Sequence, residues 1–156
     1  MRQILVLALL LAGCAPATGA RERTSTDESH GRWVDVLQRL DERRERAYLR
    51  GDPALLDGVY VDGAAVRSRD ARLIRAYARR GLVVDAVPMR LLDVEVASRA
   101  AGRVRLRVVD RLGPVRVRPA GGAWQAMPRD GPTERIITLQ RLATGWRIAR
   151  ILRTAG

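Results

Sequence analysis

From Trp33 onward, apolar residues fall on a helical period. Trp33, Val36, Leu37, Leu40, Ala47 and Tyr48 recur at spacings of three, four and seven, and only Arg44 interrupts the stripe. This spacing predicts an amphipathic helix that runs to Gly51. Asp52-Pro53 then opens a short helix over Ala54 to about Val59, with Asp as N-cap and Pro at the first helical position. Tyr60 to Val66 reads as a brief extended segment broken by Asp62-Gly63. A third helix, capped by Ser68 or Asp70, carries Leu73, Ile74 and Tyr77 on its apolar stripe and ends at Gly81. Arg79 and Arg80 sit there against the C-terminal dipole. The second half alternates as strands do: Val83–Val87, Leu91–Ser98, Val104–Leu112, Val115–Val117, Ile136–Leu142 and Trp146–Leu152, with Gly and Pro between several of them.

One hairpin can be registered from the sequence. A three-residue loop at Ala100-Ala101-Gly102, with Gly in the left-handed position, sets Val96 opposite Leu106 and Val94 opposite Val108. Glu95 then faces Arg107 on the other side. Because side chains alternate, Asp110 shares the apolar face with Val104, Leu106 and Val108. The run Asp41-Glu42-Arg43-Arg44-Glu45-Arg46 reads as a solvated helix face with i,i+4 pairs.

Ahead of the helices the pattern differs. Arg2 precedes an unbroken apolar run from Ile4 to Ala12, too short to span a bilayer as a helix, which takes about 20 residues. Leu11-Ala12-Gly13-Cys14 follows directly and resembles the lipobox of bacterial lipoproteins. That resemblance implies cleavage before Cys14 and lipidation of Cys14, hence a cell-membrane protein anchored on the extracytoplasmic face. The segments expected are a signal peptide (1–13), a flexible tether (14–31) that ends in a solvated His30, and a domain (32–154).

Composition narrows the chemistry. The chain has 156 residues and a formal charge of +12, and every basic residue is Arg. Lys, Asn and Phe, whose codons are AT-rich, are absent, so a GC-rich genome accounts for part of the arginine excess. One His and one Cys exclude most His/Cys metal sites, His-based triads and internal disulfides, so no metal and no cofactor is expected.

The order helix, short helix, helix and then long antiparallel strands resembles the nuclear-transport-factor-2-like superfamily, with its SnoaL-like, cystatin-like cones. So do Gly51-Asp52-Pro53 after a Trp-containing helix and the closing Gly145-Trp146-Arg147-Ile148-Ala149, phrases common in actinobacterial domains of this kind. The resemblance spans about Gly31 to Thr154 and implies a single α+β domain with N-terminal helices packed on a curved antiparallel sheet. Enzymes, binding modules and dimerisation domains share this fold. No residue here maps onto the family's catalytic His or Asp motifs.

Asp110 is the candidate acid/base residue, set against the alternative of a strand-end Asp that reaches solvent or pairs with a rim arginine such as Arg111 or Arg116. Trp33, Tyr60, Tyr77 and Trp124, with Trp146, are candidates to line a ligand cavity or else to pack the core. Arg103, Arg105, Arg107, Arg116 and Arg118 offer a basic sheet face to an anionic envelope surface. Nucleic acid is not an expected partner, because aromatics are not interleaved with these arginines. Three readings result: a lipid-anchored domain that binds a small ligand or a protein or envelope partner without catalysis, a cavity enzyme of the isomerase, cyclase or dehydratase type that uses Asp110, and a structural homodimer formed through the open sheet.

Overall fold

The computed structural model describes residues 19–154, with side chains from His30 onward. Cys14 and the signal segment lie outside the described residues. Helix α1 spans Gly19–Arg50, a 3-10 turn Pro53–Gly58, and helix α2 Ala65–Arg79. Seven strands follow: β1 Leu82–Val84, β2 Met89–Ala100, β3 Arg103–Leu112, β4 Arg116–Pro119, β5 Gln125–Ala126, β6 Thr133–Leu142 and β7 Gly145–Arg153. Every strand pairing is antiparallel, in a four-stranded sheet β2-β3-β6-β7 and a three-stranded sheet β1-β4-β5.

Three boundaries differ from expectation. Helix α1 begins at Gly19, inside the segment read as tether; Ala20-Arg21-Glu22-Arg23 are good helix formers and no proline interrupts the stretch up to Gly31. Even so, the first buried residue among those described is Trp33, and His30 is exposed. Helix α2 begins at Ala65 with Ala64 as a cap that makes no side-chain bond. Neither Ser68 nor Asp70 caps it, and the expected extended stretch shrinks to one parallel bridge between Tyr60 and Ile148. Asp52 does cap the 3-10 turn, accepting from the Ala54 amide at 2.9 Å.

The predicted hairpin register holds: Val96 faces Leu106, Val94 faces Val108 and Glu95 faces Arg107. The turn itself is one residue tighter, since Ala100 already pairs with Arg103. A register shift between Val96 and Ser98 cancels the difference, and a second lies between Leu91 and Asp93. Bulges of this kind bend a strand and raise its twist, and here they curve the sheet around α1.

The core lies between the sheet and the helices. Strand β3 buries Val104, Leu106 and Val108 against Trp33, Leu37 and Leu40 of α1, with Leu56, Ile74 and Leu139 also enclosed. No cluster of three His, Cys, Asp or Glu that could hold a metal occurs among the described residues. Thermal melting is therefore expected to be unchanged by reductant or chelator. A melting temperature lowered by chelator would reveal a metal on which the fold depends.

Candidate functional site

Polar residues enter this interior from five elements. On α1, Asp41, Arg44 and Tyr48 are three and four residues apart and so share one face. Tyr60 follows the 3-10 turn, Asp70 lies one and a half turns into α2, and β3 and β6 contribute Asp110 and Arg135.

Asp70 is the hub. The Tyr48 hydroxyl donates to its Oδ1 at 3.0 Å. The Tyr60 hydroxyl and Arg44 Nε both donate to Oδ2, at 2.7 and 2.9 Å. Arg44 also stacks on the Tyr48 ring, 4.9 Å from its centroid, and donates to Asp41 at 3.4 Å. Asp41 accepts from the Met89 amide at 2.8 Å, and Glu45 accepts from the Val87 amide at 2.9 Å, so α1 holds the start of β2 in place. The charged run on α1 is therefore only in part a solvated face: Asp41, Arg44 and Glu45 turn inward to partners, whereas Glu42 and Arg46 stay exposed.

Burial, followed by the charge of Asp70, holds both the Tyr48 and Tyr60 hydroxyls well above the ordinary tyrosine range, so both stay protonated donors. Burial alone would lower Arg44, but the charges of Asp70 and its neighbours more than reverse this and keep it cationic.

Asp110 is buried on the apolar face of β3, where alternation placed it, at 3% exposure. Its partner is neither Arg111 nor Arg116. Arg135, on the neighbouring strand, donates to its Oδ1 from Nε at 2.8 Å. Position 110 pairs with Thr133, and the arginine two residues further along β6 reaches back to it. Burial raises the Asp110 carboxyl, and the charge and hydrogen bond of Arg135 oppose the shift without cancelling it. Asp41 is raised for the same first reason.

The sign of the pH effect follows. A carboxyl that titrates higher in the fold than in the unfolded chain binds its proton more tightly when folded. Its contribution to stability is then greatest at acid pH and declines as pH rises through the folded value. Replacing Asp110 by Asn, which still offers Arg135 an oxygen, is expected to cost little at neutral pH and to flatten this decline. Asp41 would retain the remainder. Urea denaturation from about pH 4 to pH 7 checks it, and a steeper decline in the variant would contradict the assignment.

The candidate aromatics do not converge on one site. Trp33 meets Trp146 edge-on, with centroids 5.1 Å apart, where α1 enters the fold. Tyr60 belongs to the Asp70 network. Trp124 is 38% exposed on the outside of the small sheet, with Arg118 and Arg116 at 4.7 and 5.5 Å from its ring centroid. Tyr77 lines a cleft of about 170 Å³ between the C-terminal ends of α1 and α2 and strand β1, together with Tyr48, Leu49, Arg50, Ile74 and Val83. No carboxylate lines this cleft.

No family model matches the chain, and no curated protein does. Among solved structures, the chain is similar to the intermembrane space region of the chloroplast protein ARC6, at 16% identity over 90% of this chain and 100% of that one, with a TM-score of 0.51. It is also similar to Aln2 from a Streptomyces species, at 20% identity over 78% and 88% of the two chains, with a TM-score of 0.50. An NTF2-like protein with a cystatin-like fold from Novosphingobium aromaticivorans aligns over 90% of each chain at 20% identity and a TM-score of 0.45. The likeness at these identities is one of fold.

Proposed function

Starting from the nuclear-transport-factor-2-like α+β cone that the chain adopts, we propose that it is a non-catalytic interaction module. Lipid on Cys14 would hold it at the extracytoplasmic face of a cell membrane, and its surface would engage a protein or envelope partner. The observation that carries this reading is the state of the interior. Both oxygens of Asp70 are engaged by three donors, and Asp110 is paired with Arg135. A general base needs a lone pair free to meet a substrate proton, with room for the substrate beside it. Here Asp70 accepts from three donors of its own chain, and Asp110 is held by Arg135 through Oδ1 on a buried apolar face.

The cleft between α1, α2 and β1 supports the same view. Small-molecule sites hold roughly 300–1,000 Å³, and this cleft offers about 170 Å³. That is room for one large side chain rather than for a steroid-sized ligand.

A thermal-shift screen of the full chain against apolar small molecules tests the reading. No compound should raise the melting temperature through the interior. A compound that does so, and loses its effect in both Asp110→Asn and Tyr60→Phe, would overturn the reading in favour of an interior ligand or substrate site.

A further inference from the structure

We propose that the cleft between the C-terminal ends of α1 and α2 is a docking site for an acidic protein segment that inserts one large apolar side chain. The proposal deepens the interaction-module reading and rests on it. Two of its lining side chains keep much of their apolar surface in water: Leu49 on α1 is 42% exposed and Val83 on β1 39%. One turn before the lining Tyr77 on α2, Leu73 is 43% exposed. An isolated exposed apolar residue means nothing, but several gathered at a concave feature mark an interaction surface.

Charge identifies the occupant. The end of α1 carries Arg46 and Arg50, and α2 with the residue after it carries Arg72, Arg75, Arg79 and Arg80, all exposed. Residues 46–51 and 71–84 contain no Asp or Glu. No described carboxylate forms an ion pair with any of these six, whereas Arg44, Arg67, Arg107, Arg116 and Arg135 all have one. Arg50 lines the cleft itself, and the other five lie on the same two helices or directly after α2. An apolar cleft on a basic, carboxylate-free surface fits a partner with carboxylates around an apolar anchor, because complementary charge both steers and selects the partner. The cleft volume limits that anchor to a single side chain.

The cleft also lies far along the chain from Cys14: helix α1 has 32 residues and is therefore about 48 Å long, and Leu49 is at its far end from Gly19.

The test uses a fluorescent peptide of glutamates with a central leucine, titrated against the full chain in detergent by anisotropy. A leucine-to-alanine version and a lysine-for-glutamate version serve as controls, and phosphatidylglycerol vesicles as competitor. Saturable binding of the glutamate–leucine peptide is expected. Losses on the order of tenfold should follow the alanine version, Leu49→Asp, and Arg50→Glu with Arg80→Glu, as for anchor contacts of hot-spot size. The lysine version should not bind. All three substitutions are at exposed positions, so the fold should survive them, with a small drop in melting temperature where Arg50 and Arg80 leave helix C-termini.

Absence of binding, equal binding of the leucine and alanine peptides, or displacement by the vesicles would each overturn the proposal. Such a failure concerns this cleft alone. The broader reading fails instead if a small molecule stabilises the chain through its interior.

Discussion

Replacing Asp70 by Asn is expected to destabilise the domain by about 3–5 kcal/mol, the range found when one partner of a buried pair is removed. Asn would offer one acceptor oxygen in place of two, and its NH2 would face either the Tyr48 hydroxyl or the Tyr60 hydroxyl and Arg44. The guanidinium would remain in a site where its side chain is only 17% exposed, without its strongest partner. Domains of this size are stable by roughly 5–15 kcal/mol, so the variant should populate partly unfolded states at ordinary temperatures. Tyr60→Phe, which removes one donor and leaves the carboxylate paired, should cost only about 1–2 kcal/mol. Urea denaturation of the two variants separates these values, and a near-wild-type Asp70→Asn would show that the network contributes little to the fold. The contrast with Asp110→Asn is part of the test: Asp110 accepts from one donor where Asp70 accepts from three, and an amide oxygen there can still take the Arg135 hydrogen bond.

The second large effect is on location rather than stability. Cys14→Ser is expected to shift the protein from a detergent-requiring membrane fraction to a soluble or unprocessed form. Each buried acyl methylene contributes about 0.8 kcal/mol, and stable anchoring takes at least two such signals, which a multiply acylated cysteine supplies in one residue. No helix among the described residues is long and apolar enough to cross a membrane. Fractionation with and without detergent reads the outcome. A processed Cys14→Ser product that still needs detergent would move the attachment to the domain surface.

The elements of the fold were legible in the sequence because period and punctuation agree along most of the chain. The β2–β3 register was legible because Gly102 requires a left-handed turn, here at φ 68°, and because alternation is strict on β3. The turn length was misread, since a bulge near Ala97 has no composition of its own and is recognised only when both strands are in view. Asp110 was found from facing alone. Asp70 and Arg44 carried the same kind of signal and were passed over. Arg44 is the one break in the α1 stripe, and Asp70 lies four residues before Ile74 on the buried side of α2. A charge on a face that must be buried demands a partner, but the partner lies 26 residues away on another helix. Sequence spacing does not reveal that pairing, nor the reach of Arg135 across two strands.

The parallel bridge beside β7 bears on how the molecule behaves when crowded. The Val61 amide donates to the Ile148 carbonyl, and the Ile148 amide donates to the Val59 carbonyl. One margin of the large sheet is therefore covered at Ile148 by the chain's own backbone, where an open margin would invite strands from other molecules to add on. The opposite margin, β2, is interrupted by its two register shifts and carries Arg90, Asp93, Glu95 and Arg99, which disrupt the regular ladder an incoming strand would need. At high local concentration, edge-to-edge growth into fibres is thereby disfavoured.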